Sequence, residues 1–95
     1  MGLLTPDQIR RHLKSHPGWA VARGKLAKTY SLKDFREALG FINKVGEIAE
    51  AVEHHPDIHL TDCNKVQLQS VTHDEGGITE RDFLLLRKLK EKGLG

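Results

Sequence analysis

Residues 49–61 read Ala49-Glu50-Ala51-Val52-Glu53-His54-His55-Pro56-Asp57-Ile58-His59-Leu60-Thr61. Up to Val52 the apolar residues recur every three or four positions, the period of a helix with one buried face. From Asp57 onward polar and apolar residues alternate, the period of a strand buried on one side. Pro56 stands at the change and pushes His55 toward extended geometry, so the helix cannot run on. A helix handing over to a one-sided strand within five residues is the reading from which an α+β domain follows.

Working back from this junction, the helix is expected over about Leu32–Val52. Its core stripe would be Phe35, Ala38, Leu39, Ile42, Val45, Ile48, Ala49 and Val52. Working forward, Asp57–Thr61 has a hairpin partner in Lys65–Val71, with Asp62-Cys63-Asn64 as the turn. Upstream, Trp19–Ala22 and Lys25–Tyr30 form a second hairpin around Arg23-Gly24. Three helix starts share one grammar: Thr5 with Gln8, Ser31 with Asp34, and Thr79 with Asp82 are capping boxes. Leu4 with Ile9, Tyr30 with Phe35, and Ile78 with Phe83 are the matching hydrophobic staples. The last start opens a helix over about Glu80–Lys92. The order is α-β-β-α-β-β-α, a four-stranded antiparallel sheet with helices packed on one face, in one domain spanning residues 1–95. Leu84, Leu85 and Leu86 cannot all face one core, so at least one is expected to meet a neighbouring subunit.

Fifteen basic against thirteen acidic residues leave a net charge of +2, too balanced to argue for nucleic acid or a membrane surface. No apolar run approaches the roughly 20 residues of a membrane span. The N-terminus lacks the pattern of a secretory signal. A single cysteine, Cys63, forms no intrachain disulfide. A cytoplasmic protein is the expectation.

The chemistry gathers where the long helix ends and the last strand ends. His54 and His55 sit at the first point, and Thr72-His73-Asp74 at the second. If the third and fourth strands form a hairpin, both points lie at one end of the sheet. Histidine alone titrates near neutrality unperturbed, at about pH 6.5, so this cluster points to acid–base chemistry on a small molecule. Glu50, one helical turn before His54, is placed to orient that ring. Asp82 is explained by its capping box and is a further candidate. His12, His16 and His59 read as surface or packing residues. Neither HExxH nor paired CxxC is present, so no metal site is expected.

Glu50-x-x-x-His54-His55-Pro56, then Asn64-Lys65-Val66, then Thr72-His73-Asp74-x-Gly76-Gly77-Ile78-Thr79-Glu80-x-Asp82-Phe83 resembles the pterin-4a-carbinolamine dehydratases. The resemblance implies dehydration of a 4a-hydroxytetrahydropterin to the quinonoid dihydropterin, with no metal or organic cofactor. It implies catalytic roles for His54, His55 and His73, with acidic helpers at Glu50 and Asp82. It implies a pterin pocket lined by Glu53, His54, His55, Thr72, His73 and Asp74, in a homodimer or homotetramer. It also leaves open a non-catalytic pterin-binding or protein-partner module on the same scaffold. One departure is visible. The aromatic residue usual before Asn-Lys-Val is Cys63 here, with one extra residue after Pro56, which suggests a bulge or longer turn in that hairpin.

Overall fold

The computed structural model describes residues 2–95. The elements are α1 (Pro6–Leu13), β1 (Ala20–Ala22), β2 (Lys25–Ser31), α2 (Phe35–Val52), β3 (Asp57–Thr61), β4 (Lys65–Ser70) and α3 (Glu80–Glu91). The strands form one antiparallel sheet in the order β1-β2-β4-β3. The expected element order and fold class are therefore observed.

Strand register sorts the side chains into two faces. Leu26 pairs with Ser70, Lys28 with Leu68, and Tyr30 with Val66, while Ile58 and Leu60 pair with Leu68 and Val66 across the other edge of β4. This face meets α2 and α3. Leu26, Val66 and Leu68 are sealed there with Val45, Phe83, Leu85, Leu86 and Leu89. The opposite face carries Thr29, Gln67, Gln69 and His59, with His59 bonded to Gln69 at 3.2 Å. Thr29 and His59 are exposed there, and Gln67 and Gln69 are half-buried.

Two details differ from the sequence reading. The cap of α2 is Asp34, whose carboxylate accepts the Glu37 N–H at 2.8 Å. Ser31 instead ends β2, paired with Lys65. Because the helix starts three residues later, Phe35 sits in the first turn, where it stays half exposed rather than stapled. The buried stripe is Ala38, Phe41, Val45, Ile48 and Ala49. Phe35 and Leu39 are turned outward, 50% and 44% exposed. In α3, Leu85 and Leu86 both enter the core and only Leu84 remains partly exposed. A helix lying between a sheet and a neighbouring helix buries an arc wide enough for two adjacent positions.

The hairpin joining β3 to β4 carries two consecutive left-handed residues, Asp62 at φ 51° and Cys63 at φ 61°. The turn is Asp62-Cys63-Asn64, as expected, with Thr61 paired to Lys65 and no bulge in the hairpin. Among the described residues no helix is long and apolar enough to cross a membrane.

Candidate functional site

The end of α2 decides where the two adjacent histidines go. Glu53 takes left-handed geometry, φ 55° and ψ 41°. Its N–H donates to the Glu50 carbonyl at 3.3 Å, and the His54 N–H to the Ala49 carbonyl at 3.1 Å. This pair of bonds is a Schellman closure. It reverses the chain sharply and Pro56 then holds it extended. His54 is turned inward and is 8% exposed, while His55 stays outside.

His54 Nε2 lies 2.6 Å from Asp82 Oδ1. Asp82 is fully buried at the third position of α3, and every lone pair direction of its carboxylate is used. Ser70 Oγ donates to Oδ1 at 2.6 Å. Thr72 Oγ1 and the Thr79 N–H donate to Oδ2 at 2.9 and 2.8 Å. The Thr79 and Thr72 hydroxyls are 2.8 Å apart. Since Thr72 spends its proton on Asp82, Thr79 donates to Thr72. A carboxylate offers about four acceptor positions and no donor when ionised. Four donors meeting it fix the Nε2–H form of His54 and leave Nδ1 as the ring's other working atom. Nδ1 makes no hydrogen bond with another described residue and is not sealed from solvent.

The second segment comes from the opposite side of the hairpin. Asp57 at the start of β3 pairs with Gln69 near the end of β4. The residues before β3 and after β4 therefore share one end of the sheet. Thr72 bridges to Gly77, with its N–H 2.9 Å from the Gly77 carbonyl, which closes residues 73–76 into a tight loop. Gly76 takes φ 77°, open to glycine at little cost. His73 is exposed on that loop. Asp74 beside it accepts both carboxylate bonds from Arg81 Nη2, at 2.9 and 3.1 Å, which ties the loop to α3. The Arg81 hydrogen bond, foremost, holds the Asp74 carboxyl below its usual range, and the His54 ring contributes last.

The expected orienting pair is therefore changed. Glu50 does not touch His54; its carboxylate pairs with His55 Nε2, both exposed. The left-handed reversal at Glu53 rotates the chain after the helix, so the one-turn spacing of Glu50 and His54 no longer places them together. Asp82 does what Glu50 was expected to do. Ser70 was missed: it occupies the core face of β4 in step with Val66 and Leu68, and only the fold shows its partner. His12 and His16 pack their rings on Phe83, with centroids 4.6 and 6.0 Å apart. Among the described residues no group of three or more His, Cys, Asp or Glu is disposed to hold a metal ion.

Known proteins resemble this chain along nearly its whole length. A protein of Thermomicrobium roseum is 47% identical over 91 residues, covering 96% of this chain and 97% of its own. One from Sulfurisphaera tokodaii is 43% identical over the same shares of the two chains. Both carry the name pterin-4-alpha-carbinolamine dehydratase, provisionally given. The crystal structure of a Brucella melitensis protein, described as a transcriptional coactivator/pterin dehydratase, superposes with a TM-score of 0.85 at 30% identity over 95% of this chain and 97% of that one. The sequence profile of pterin 4 alpha carbinolamine dehydratase matches residues 2–92, and with relatives this similar along their whole length the chain belongs to that family.

Proposed function

We propose that this protein is a hydro-lyase that removes water from 4a-hydroxytetrahydropterin, giving the quinonoid dihydropterin, and so serves pterin recycling. The observation that supports this most is the His54–Asp82 pair. A ring held in one tautomer by a buried, fully bonded carboxylate, with its second nitrogen accessible, is the arrangement of a proton-transfer group.

In the reaction, the lone pair on N5 of the substrate forms the C4a=N5 bond as the C4a–O bond breaks. The departing oxygen needs a proton and N5 must lose one. His54 Nδ1 takes the N5 proton, and Asp82 behind the ring compensates the charge that appears on it. His73, on the loop pinned by Asp74 and Arg81, gives its proton to the 4a-oxygen, which leaves as water. Proton exchange with solvent then resets both rings. His55, steadied by Glu50, orients the pterin together with Glu53 and Asp74, while Thr72, expected in the pocket lining, is sealed and acts only by holding Asp82. Each positioned group of this kind contributes about 10²–10⁴-fold.

The test is to generate the carbinolamine in situ and follow its ultraviolet decay with the wild type, His54→Ala and His73→Ala. Acceleration by the wild type, reduced about 10²-fold or more in each folded variant, is the expected result. No acceleration by folded wild type would remove the dehydratase reading.

We propose further that the chain works in the cytoplasm, where its exposed free thiol Cys63 stays reduced. A homo-oligomer, formed through the outward residues Phe35 and Leu39 of α2, would cover apolar surface that the single chain leaves open. A second reading is a protein-partner module using that same surface. It is favoured by the coactivator description of the Brucella melitensis protein, and it predicts partner binding that survives loss of both histidines.

A further inference from the structure

Between α1 and α3, outside the His54–Asp82 network, lies a cleft of about 390 Å³ lined by His12, Ser15, His16, Arg87, Lys90 and Glu91. His16 is only 6% exposed. Its side chain makes no hydrogen bond with another described residue, and no buried side-chain nitrogen among those residues is left without a partner. Its ring nitrogens therefore keep contact with solvent, and the surface they reach is that of the cleft the ring lines.

Around this ring the charges are mostly positive. Arg87 is exposed and makes no side-chain hydrogen bond among the described residues. Lys90 Nζ donates to the Ser15 carbonyl at 2.8 Å, which holds the ammonium at the rim. His12 Nε2 lies 3.4 Å from Glu80 Oε2, with the ring against Phe83. Glu91, the one carboxylate in the lining, is drawn to Lys88 at 3.3 Å. A guanidinium, an ammonium and a nearly buried imidazole with unused nitrogens thus border a space large enough for a small ion. Nothing in the dehydration reaction uses them.

We propose that this cleft binds a phosphate-sized divalent oxyanion, free or as the monoester end of a small metabolite, between Arg87, Lys90 and His16. Guanidinium and ammonium donors suit such an ion, and charge-assisted hydrogen bonds are the strong ones. Binding takes up a proton. Burial, then Lys90, Arg87 and His12, hold the His16 imidazolium below its usual 6.5. An anion seated among those cations offsets their repulsion and favours the charged ring. For an ion whose own charge is fixed, affinity therefore rises as pH falls through the range in which the His16 ring gains its proton.

The experiment is to titrate the whole protein at constant ionic strength and follow the imidazole resonances by NMR. The probes are sulfate, inorganic phosphate and glucose 6-phosphate. Sulfate stays divalent over this range, so its pH dependence reports the protein alone. The expected result is a saturating His16 shift at about millimolar concentration, tighter at the lower pH for sulfate, the probe whose own charge does not change. In Arg87→Gln the affinity is about tenfold weaker, with carbinolamine dehydration unchanged. A shift with the sugar phosphate as well as with phosphate identifies a metabolite end. A shift with the inorganic ions alone identifies a free-ion site, and either supports the proposal. An unmoved His16 resonance, or equal shifts in the wild type and Arg87→Gln, overturns it. Because the readout is binding, this result stands apart from whether the protein is a dehydratase.

Discussion

Asp82 has two jobs that a single substitution separates. As the third residue of α3 it caps the helix through the Thr79 N–H, and as the partner of His54 it fixes a tautomer. Asp82→Asn keeps the shape but brings an amide NH₂ toward donors that already point inward. Turnover is expected to fall by about 10²-fold or more, and stability by at least about 1–3 kcal/mol, because the two buried donors that met the replaced oxygen lose their acceptor. Parallel rate and urea-unfolding measurements check both numbers. A variant with wild-type rate would show that the tautomer does not matter. In the sequence, His54 and Asp82 are visible singly, one from the histidine pair and the other from its capping box. Their contact is not, because it spans 28 positions. Ser70 was illegible for a related reason: a hydroxyl in an apolar alternation has no meaning until its acceptor is known. Glu50 was misread because one left-handed residue, Glu53, breaks the helical arithmetic that paired it with His54.

At the level of elements, β3 begins and ends where the alternation says, and α1 and α3 begin at their capping boxes. α2 shows how periodicity fails. Its apolar residues form one broad stripe at three- and four-residue steps, wider than the arc that is buried. Ala38, Val45, Ile48 and Ala49 are buried as expected, but the edge of the buried arc is set by what packs against the helix, so Phe41 is buried and Phe35 and Leu39 are left outside. The β3–β4 turn offers a clean test of backbone cost. Cys63 is exposed and left-handed, a geometry that costs a non-glycine residue about 1–2 kcal/mol. Cys63→Gly removes that cost and regains less than all of it, since glycine loses more freedom on folding. A gain of about 0.5–1 kcal/mol in urea unfolding is expected. A loss would mean that the thiol makes a contact worth more than the strain.

For the molecule as a whole, one sheet face is closed by helices while the other is open, and α2 presents Phe35 and Leu39 to solvent. If oligomerisation uses that stripe, Leu39→Lys shifts sedimentation equilibrium toward the monomer and leaves unfolding within about 0.5 kcal/mol of wild type once concentration is allowed for. An unchanged mass would move the interface elsewhere. The bonds that orient His54 are also the bonds that join the ends of α2, β4 and α3. Ser70, Thr72, Thr79 and Asp82 are all sealed, so this junction cannot open without exposing the core. The Thr79 amide, which donates to Asp82, should therefore exchange its hydrogen for deuterium only through global unfolding. Activity in denaturant should vanish along the same curve as the fold, with no earlier loss. If the His54–Asp82 pair is the reactive centre, it melts only with the fold itself, and any softness that turnover requires is left to the His73 loop.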